Sequence, residues 1–447
     1  MGIARVVPNV MSASKGSFLG RHLPLASLLF RGVALLATVL VVSAWSSDAH
    51  AYAWMIKHGF AKCNSCHTDP SGGETLTHMG RVSSETLLSG PFGDGTPSDN
   101  SKLFGFLDEP DAARFGGSLR GAVLLDTESG EGVAFPMQAD FYGQADFGAF
   151  RFGWSLGASR ASERYEHTSK ALLLGGDANE APNQNRLSPV SRTHWLGYEF
   201  NDNLLLRAGR LNLPFGLRMP NHVFWVRDST LTDRESDQQH GLALSYSGGA
   251  WRGEFMVSLG NFQLAEDATR ERGYSGFAEY LINPRMAVGI SSMVLAADRE
   301  LLTGTPDVVR QAHGVMTRLG LSPELAVLAE LNVTSRSDFG LGYVGFVQAD
   351  YEFVRGLHVA LTGEVLDSGQ KDVPDSLIAL GAPAPGTLPT ADQALAAEGA
   401  LPGQGEPRFG LWGTVNWYLL SHLDLRLDIV ARQNRPLTAV AQFHYYF

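Results

Sequence analysis

The chain has 447 residues, long enough for two or three domains of ordinary size, and only 18% of them are charged. Its formal net charge of −11 at pH 7 excludes the basic character of nucleic-acid-binding proteins and favours cations or basic proteins as partners. After the N-terminal region there is no run of 18 apolar residues, which excludes a further transmembrane helix.

The N-terminal 51 residues have the features of an export signal. Basic residues precede an apolar run over 32–44, and Ala49-His50-Ala51 follows as an A-x-A cleavage site. We therefore expect a signal peptide over 1–51 and a mature chain that begins at Tyr52. A retained membrane anchor is the alternative, although the apolar run is short for a helix that crosses a bilayer.

The two cysteines of the chain stand in the sequence Cys63-Asn64-Ser65-Cys66-His67. C-x-x-C-H is the pattern of c-type haem attachment, in which two thiols add to the vinyl groups of the porphyrin and the histidine ligates the iron. We expect one covalent haem c on Cys63 and Cys66, with His67 as the proximal ligand. The alternatives are a disulfide, a thioredoxin-like redox pair and half of a zinc site. The redox pair lacks a βαβ context, and zinc lacks further ligands at matching spacing.

The segment that carries this motif, 52–115, is predicted to be small and mainly irregular, with one helix near 84–89. It is too short to enclose a porphyrin by itself, so we expect it to pack into the mouth or lumen of the following domain. The sixth iron ligand is open. His78 and Met79 are the favoured candidates, whereas His58 and Met55 lie upstream. A methionine ligand would give a higher reduction potential than a second histidine.

From residue 116 onward the chain alternates between polar and apolar residues, as strands do. Over 422–432, for example, Asp424 and Arg426 alternate with Leu425 and Leu427. Each segment has about ten residues, which is the length of a tilted strand that crosses a bilayer. A water-soluble sandwich alternates in the same way and is the alternative. The predicted strands are 117–126, 136–147, 150–160, 192–201, 203–211, 240–247, 250–260, 272–282, 286–297, 309–320, 324–333, 341–353, 356–366, 407–418, 422–432 and 437–447.

Two further features favour a membrane barrel. Connections after even-numbered strands are short, as in Gly248-Gly249, whereas several after odd-numbered strands are long; outer-membrane barrels have short periplasmic turns and long external loops. The chain also ends on alternating aromatics, Phe443, Tyr445 and Phe447, which resembles the signal read by the outer-membrane assembly machinery. We predict an all-β fold, a transmembrane antiparallel barrel of about 16 strands over 116–447.

The predicted loop 212–239 contains a group of acidic side chains. It offers carboxylate oxygens, with an imidazole just after it, at what is predicted to be the outer rim. The group could attract Fe(II) or another divalent ion, or it could belong to a solvated external loop. Its members are Asp228, Asp233, Glu235, Asp237 and His240.

The order of leader, C-x-x-C-H segment and barrel resembles that of the fused cytochrome–porin family of outer-membrane iron oxidases. The segment 57–81 departs from the pattern of the iron oxidases, and this leaves the electron donor open. The residues that carry the resemblance are Cys63, Cys66, His67, Leu76-Thr77, Gly80-Arg81, and the porin-like stretches Arg207-Ala208-Gly209-Arg210 and Leu213-Pro214-Phe215-Gly216.

The resemblance implies electron transfer through one haem c between an extracellular donor or acceptor, with Fe(II) as a candidate, and a periplasmic c-type cytochrome or other carrier. It implies a bacterial outer-membrane protein in contact with lipid, with the haem segment on the periplasmic side or in the lumen. The activity would be that of an Fe(II):cytochrome oxidoreductase or of a plain electron carrier. The alternative function is a porin or channel whose haem segment is a plug or redox sensor.

Overall fold

A computed structural model describes the chain within the compact unit Ser46–Phe447. The predicted leader, 1–51, and the terminal Phe447 lie outside the described residues. Within these residues, none of the helices has the length and hydropathy of a membrane-crossing segment. The described residues are 52–88, 101–102, 107–108, 112–127, 130, 132–160, 187–221, 223–233, 237–263, 267–300, 305–337, 340–367, 369, 407–420, 422–433 and 437–446.

Sixteen antiparallel strands form one closed barrel, in which each strand pairs with its neighbours along the chain and the last pairs with the first. The predicted all-β fold and the predicted number of strands are confirmed. A short hairpin of Ser101–Lys102 (β1) and Leu107–Asp108 (β2) precedes the barrel. The barrel strands are Ala113–Asp126 (β3), Gly132–Phe147 (β4), Phe150–Arg160 (β5), Leu187–Asn201 (β6), Leu204–Leu211 (β7), Gln239–Gly248 (β8), Trp251–Gly260 (β9), Arg272–Asn283 (β10), Met286–Arg299 (β11), Pro306–Gly320 (β12), Leu325–Arg336 (β13), Gly340–Val354 (β14), Leu357–Asp367 (β15), Arg408–Leu420 (β16), Leu423–Arg432 (β17) and Thr438–Tyr446 (β18).

The alternation in the sequence becomes an inside and an outside of the barrel. On β17, Asp424 and Asp428 are buried in the lumen, whereas Leu427 and Ile429 are 43% and 40% exposed on the outer face. Large apolar side chains are exposed in the same way on other strands, including Phe255, Ile290 and Leu361. An outer surface this apolar suits lipid rather than water.

The two rims of the barrel differ as the loop lengths predict. Connections after even-numbered strands have two to four residues, and this edge is called the short-turn rim below. The connection after β7 spans 212–238, on the opposite edge. Strands β6 and β12 begin a few residues before the predicted starts, at Leu187 and Pro306, because pairing with the preceding strand continues past the alternating pattern.

Two segments lie inside the barrel. The first, called the plug, is 52–88; it contains tight turns at Ala53–His58 and Cys63–Ser65, helix α1 (His78–Ser83) and a wider turn at Ser84–Leu88. The second, called the lumen loop, comprises the described residues 212–221, 223–233 and 237–238 and contains helix α2 (Trp225–Thr230). One apolar cluster joins side chains of both segments to inward side chains of the strands. It includes Trp54, Met55, Leu88, Leu217, Phe224, Trp225, Phe346 and Trp412.

The helix of the plug begins earlier than predicted. It starts at His78 rather than near residue 84, because the Thr77 hydroxyl accepts a hydrogen bond from the Gly80 amide at 3.1 Å and caps the helix there. The predicted location near 84–89 is itself helical, because a π-helical turn over Ser84–Leu88 continues directly from α1. Only the earlier start at His78 was missed, since a threonine cap in an irregular segment is a weak signal without an apolar run behind it.

Candidate functional site

The C-x-x-C-H motif forms one tight turn of the plug. The amides of Cys66 and His67 both donate to the carbonyl oxygen of Cys63, at 3.1 and 2.9 Å. The two thiols are not joined to each other. Burial and the neighbouring Cys63 raise the pKa of the Cys66 thiol to about 11, the opposite of the lowered pKa that a thioredoxin-like pair uses. The turn therefore does not favour the redox-pair alternative.

A second turn folds back over the motif. His67 pairs with Leu76 in an isolated β-bridge, and the Thr68 amide donates to the Thr75 carbonyl at 2.9 Å. The chain reverses direction through Gly72 and Gly73, with φ of 90° and 87°. Only glycine adopts such values without strain, so the Ser71-Gly72-Gly73 turn is needed for this geometry.

The start of helix α1 closes the site from a third side. The Thr77 amide donates to the Cys66 carbonyl at 2.9 Å, and its hydroxyl donates to the Ser65 carbonyl at 2.7 Å. Thr77 therefore ties the helix to the C-x-x-C-H turn by two hydrogen bonds in addition to its own capping bond.

His67 has the tautomer and the surroundings of an iron ligand. Its Nδ1 lies 2.9 Å from the Gly73 carbonyl oxygen, which only accepts hydrogen bonds, so the ring proton is on Nδ1. Its Nε2 is buried and has no hydrogen-bond partner. Burial and the nearby Arg218 lower the pKa of His67 to about 4, which keeps the ring neutral at pH 7. A neutral imidazole with one anchored nitrogen and one free lone pair is the form that ligates metals.

Both cysteines and His67 line one cavity. Apolar side chains suit the faces of a porphyrin, and guanidinium groups suit its carboxylates. Together with the unpartnered Nε2 of His67, the donor set fits a c-type haem. The apolar and arginine residues of the lining are Ala53, Met55, Phe60, Leu76, Leu88, Leu217, Arg218, Arg252 and Arg318.

Charged residues of the barrel wall hold the motif in place. Arg252 on β9 donates to the Cys63 sulfur at 2.9 Å and pairs with Glu279 on β10. Arg318 on β12 pairs with the same Glu279 and donates to the Ala61 carbonyl at 2.6 Å. Arg252 and Arg318 therefore hold the chain at Cys63 and at Ala61, and Glu279 joins the two arginines.

A third wall arginine holds the turn that follows His67. Arg207 on β7 is buried and donates to Asp69 at 2.7 Å and to Glu254 at 2.6 Å. Although burial acts to raise it, the positive charges of Arg207 and Arg218 lower the pKa of Asp69. Asp69 therefore stays ionised inside the barrel.

Lys57 anchors the first turn of the plug to the barrel. Its ammonium group is fully buried and lies 3.1 Å from Asp350 and 3.2 Å from Glu352, both on β14. It also donates to the Glu324 carbonyl at the short-turn rim, at 3.2 Å. Nearby, the Tyr52 hydroxyl donates to Asp424 on β17 at 3.0 Å. The expectation that the haem segment packs into the barrel agrees with these contacts.

The structure brings together some of the predicted site residues and separates others. Cys63, Cys66 and His67 share one cavity, and covalent haem on them stays a prediction. His78 and Met79, the favoured sixth ligands, are both exposed at the start of α1, and neither lines this cavity. The zinc alternative finds no support among the described residues, which contain no group of three or more candidate ligands.

Among the described residues, the acidic side chains of the loop 212–239 belong to no group of three or more candidate metal ligands, and Asp228 and Asp237 are buried. The lumen loop lies inside the barrel, where Arg227 pairs with Glu330 and the Trp225 amide donates to Glu364 at 2.7 Å. Asp233 faces Arg227 at 3.8 Å and Arg218 at 4.0 Å. Glu235 lies outside the described residues. The prediction of an outer-rim loop was wrong, because its apolar side chains are buried against the strands. They are Leu213, Phe215, Leu217, Phe224 and Trp225.

Sequence reasoning did not identify the wall residues of the site. Arg207 was noted only as part of a porin-like stretch, and Arg252, Glu279 and Arg318 were not singled out. The available signal was a charged residue at an inward position of a strand. Such residues line every polar lumen, so this signal does not separate those that hold the plug from the others.

No protein-family model matches the chain, and no curated protein matches it. Similar solved structures include OmpT, an outer membrane protein of Vibrio cholerae, with a TM-score of 0.50, 10% identity, and coverage of 75% of this chain and 99% of that one. An anion-selective porin from Comamonas acidovorans has a TM-score of 0.46, 11% identity and coverage of 75% and 99%. The outer membrane channel DcaP of Acinetobacter baumannii has a TM-score of 0.44, 12% identity and coverage of 76% and 99%. Identities this low reflect a shared barrel fold only.

Proposed function

We propose that this chain is an outer-membrane protein that carries one covalent haem c inside its barrel and transfers electrons across the outer membrane. The observation that carries the proposal is the buried, unpartnered Nε2 of His67 in a cavity that both cysteines also line. A structural histidine inside a barrel would be expected to use both ring nitrogens in hydrogen bonds. An extracellular metal ion such as Fe(II), or another redox partner, is the proposed donor or acceptor on the outer side.

The loop lengths give the proposed orientation. In outer-membrane barrels the short turns face the periplasm, so the short-turn rim would be periplasmic. The plug contacts this rim at several points: Lys62 lies 3.5 Å from the Ser247 carbonyl, and Arg355 lies 3.5 Å from the Thr86 carbonyl. The haem segment would then lie within reach of a periplasmic c-type cytochrome or other electron carrier.

The residues of the chain would each have a distinct role toward the haem. Cys63 and Cys66 would supply the sulfur atoms for attachment, and His67 would ligate the iron through Nε2. The haem, when bound, would supply one-electron redox chemistry. The apolar cluster that joins the plug, the lumen loop and the wall would exclude water from the site. With Fe(II) as donor, each ion is oxidised to Fe(III) and one electron passes to the periplasmic carrier.

The test is an absorption spectrum of the detergent-purified, oxidised protein before and after addition of Fe(II). Rapid appearance of the reduced c-type bands supports electron transfer from Fe(II). Reduction by dithionite but not by Fe(II) would retain the cytochrome and reject Fe(II) as the donor. A protein without covalent haem, made in a strain competent for cytochrome c maturation, would overturn the proposal. The Cys63→Ala/Cys66→Ala double variant is the control that has no attachment site.

The barrel fold favours a second function more directly, that of a channel whose plug is a gate or redox sensor. Porins have this fold, and a second cavity lies in the lumen beside the plug. Its lining includes Arg120, Asp424, Arg426, Asp428 and Arg432. Planar-bilayer recordings test this function: an open conductance that responds to the haem oxidation state supports a gated channel, and an absent conductance rejects it.

A further inference from the structure

We infer that Met55 would serve as the sixth ligand of the haem iron, in addition to His67. The inference rests on the proposed function, since it requires a haem on the C-x-x-C-H motif. Met55 lies in the first turn of the plug, is 7% exposed, and lines the same cavity as Cys63, Cys66 and His67. A thioether sulfur is a common axial ligand of c-type haems.

The side chains that line this cavity leave few other donors. His67 is the one histidine among the described residues that line it. Tyr52 also lines it, but its hydroxyl donates to Asp424 at 3.0 Å. Lys62 also lines it, but its amino group donates to the Ser247 carbonyl at the short-turn rim, at 3.5 Å. The remaining polar groups are serine hydroxyls and arginines, which are poor ligands for haem iron.

The candidates favoured by sequence proximity lie elsewhere. Met79 is 50% exposed at the start of α1, and His78 beside it is exposed as well. The His58 ring points to Glu352, with its Nε2 at 3.2 Å from the carboxylate, and it does not line the cavity. These three side chains would have to leave their present positions to enter the cavity that His67 lines.

Met55 is held where it is by its neighbours in the turn. Its amide donates to the Tyr52 carbonyl at 3.0 Å, and its carbonyl accepts from the Phe60 amide at 3.3 Å. On one side Trp54 stacks on Tyr52, and on the other Lys57 is bound to Asp350 on the wall. The backbone of this turn is therefore fixed, with Met55 at the cavity. The turn precedes the C-x-x-C-H motif in the chain and is held by contacts that do not involve the motif.

The test uses full-length holoprotein with Met55→Leu, which removes the sulfur and keeps the apolar volume. Met219→Leu is the matched control, because Met219 belongs to the same apolar cluster but does not line the cavity. Met79→Leu is the second control and removes the exposed methionine. The readouts are the long-wavelength band of thioether-ligated ferric haem and the binding of carbon monoxide to the reduced protein.

We expect the wild type and both controls to show the band and to resist carbon monoxide. Met55→Leu should lose the band and bind carbon monoxide readily, because the sixth position is then open. Met55→His should restore six-coordinate haem with a lower reduction potential than the wild type. Persistence of the band in Met55→Leu, or its loss in Met79→Leu, overturns the inference while the haem remains attached. Absence of covalent haem from the wild type overturns the proposed function itself, and staining of a denaturing gel for haem distinguishes the two failures.

Discussion

Gly80 packs directly on the backbone of Cys66. A Cβ atom at Gly80 would lie 2.1 Å from the Cys66 carbonyl oxygen and 2.9 Å from its carbonyl carbon. No side-chain rotation relieves such a contact, because both partners are backbone. The contact sets how closely helix α1 approaches the C-x-x-C-H turn.

Gly80→Ala should therefore disturb the motif turn. Overpacking of this kind costs about 1–3 kcal/mol of folding stability. The strain would act on the Cys66 carbonyl, which also accepts a hydrogen bond from the Thr77 amide. We expect faster hydrogen exchange at the amides of His67 and Thr77 and a lower yield of any attached cofactor. Gly363→Ala is the control, since a Cβ at Gly363 meets no atom within 4 Å. Equal exchange in the two variants would contradict the assigned contact.

Lys57→Met should loosen the plug from the barrel wall. The ammonium group is fully buried between two carboxylates, and removal of one partner of a buried ion pair typically costs about 3–5 kcal/mol. We expect limited proteolysis to cut within Ala53–His58 in the variant but not in the wild type. Lys62→Met serves as the control, because the Lys62 ammonium has only the 3.5 Å contact with Ser247. An uncut variant would show that other contacts suffice to hold the turn.

The turn that follows the motif should lose stability as the pH rises. Burial and the charge of Asp69 raise the pKa of Glu74 from 4.5 to about 7. The folded turn therefore holds a proton between these values that the unfolded chain has released, so its stability is full below pH 4.5 and falls as the pH rises through 7. The protection factor of the Thr68 amide should decrease over this range.

Glu74→Gln tests the source of that pH dependence. The amide keeps an acceptor for the Thr193 hydroxyl, which lies 2.6 Å from the Glu74 carboxyl, but it does not titrate. The protection factor of Thr68 should become flat with pH in this variant. Glu324→Gln, in an exposed turn, should keep the slope of the wild type. A slope that survives in Glu74→Gln would assign the titration to another group.

Arg227→Gln should release the lumen loop. Arg227 and Glu330 are both fully shielded in the lumen, so the substitution leaves a buried carboxylate without its counter-ion, at a cost of about 3–5 kcal/mol. We expect thermolysin to cut within 223–233 and the barrel conductance to rise. Asp267→Asn breaks an ion pair whose carboxylate side chain is 66% exposed, and it should change neither measurement. A conductance that stays unchanged while the loop is cut would show that the plug alone closes the lumen.

The strands and the motif were predictable because their signals are local. Alternation along Leu423–Arg432 depends only on neighbouring residues. A period of two residues, with one face polar and the other apolar, indicates a β-strand. The C-x-x-C-H motif is equally local, since the two thiols and the imidazole must reach one porphyrin. The helix His78–Ser83 was missed because a single cap determines its start.

The placement of the plug and of the lumen loop was not predictable in the same way. Lys57 finds Asp350 across 293 residues of chain, and Arg227 finds Glu330 across 103. An alternating strand specifies that a carboxylate points inward, but it does not specify which inward cation it meets. The apolar composition of a loop does not show whether the loop packs against a partner outside the barrel or fills the lumen.

The sequence by itself determined the closed sixteen-strand barrel and its two unequal rims, and it contains the C-x-x-C-H motif, whose role in haem attachment stays a prediction. Only the tertiary structure decided that the lumen loop turns inward, that Arg252, Glu279 and Arg318 surround Cys63, and that Met55 rather than Met79 shares the cavity of His67. The physical reason is closure: bending sixteen strands into a ring brings together inward side chains that are far apart along the chain. Burial and charge inside the barrel determine which of these side chains pair, and the alternating pattern along each strand does not specify the partners.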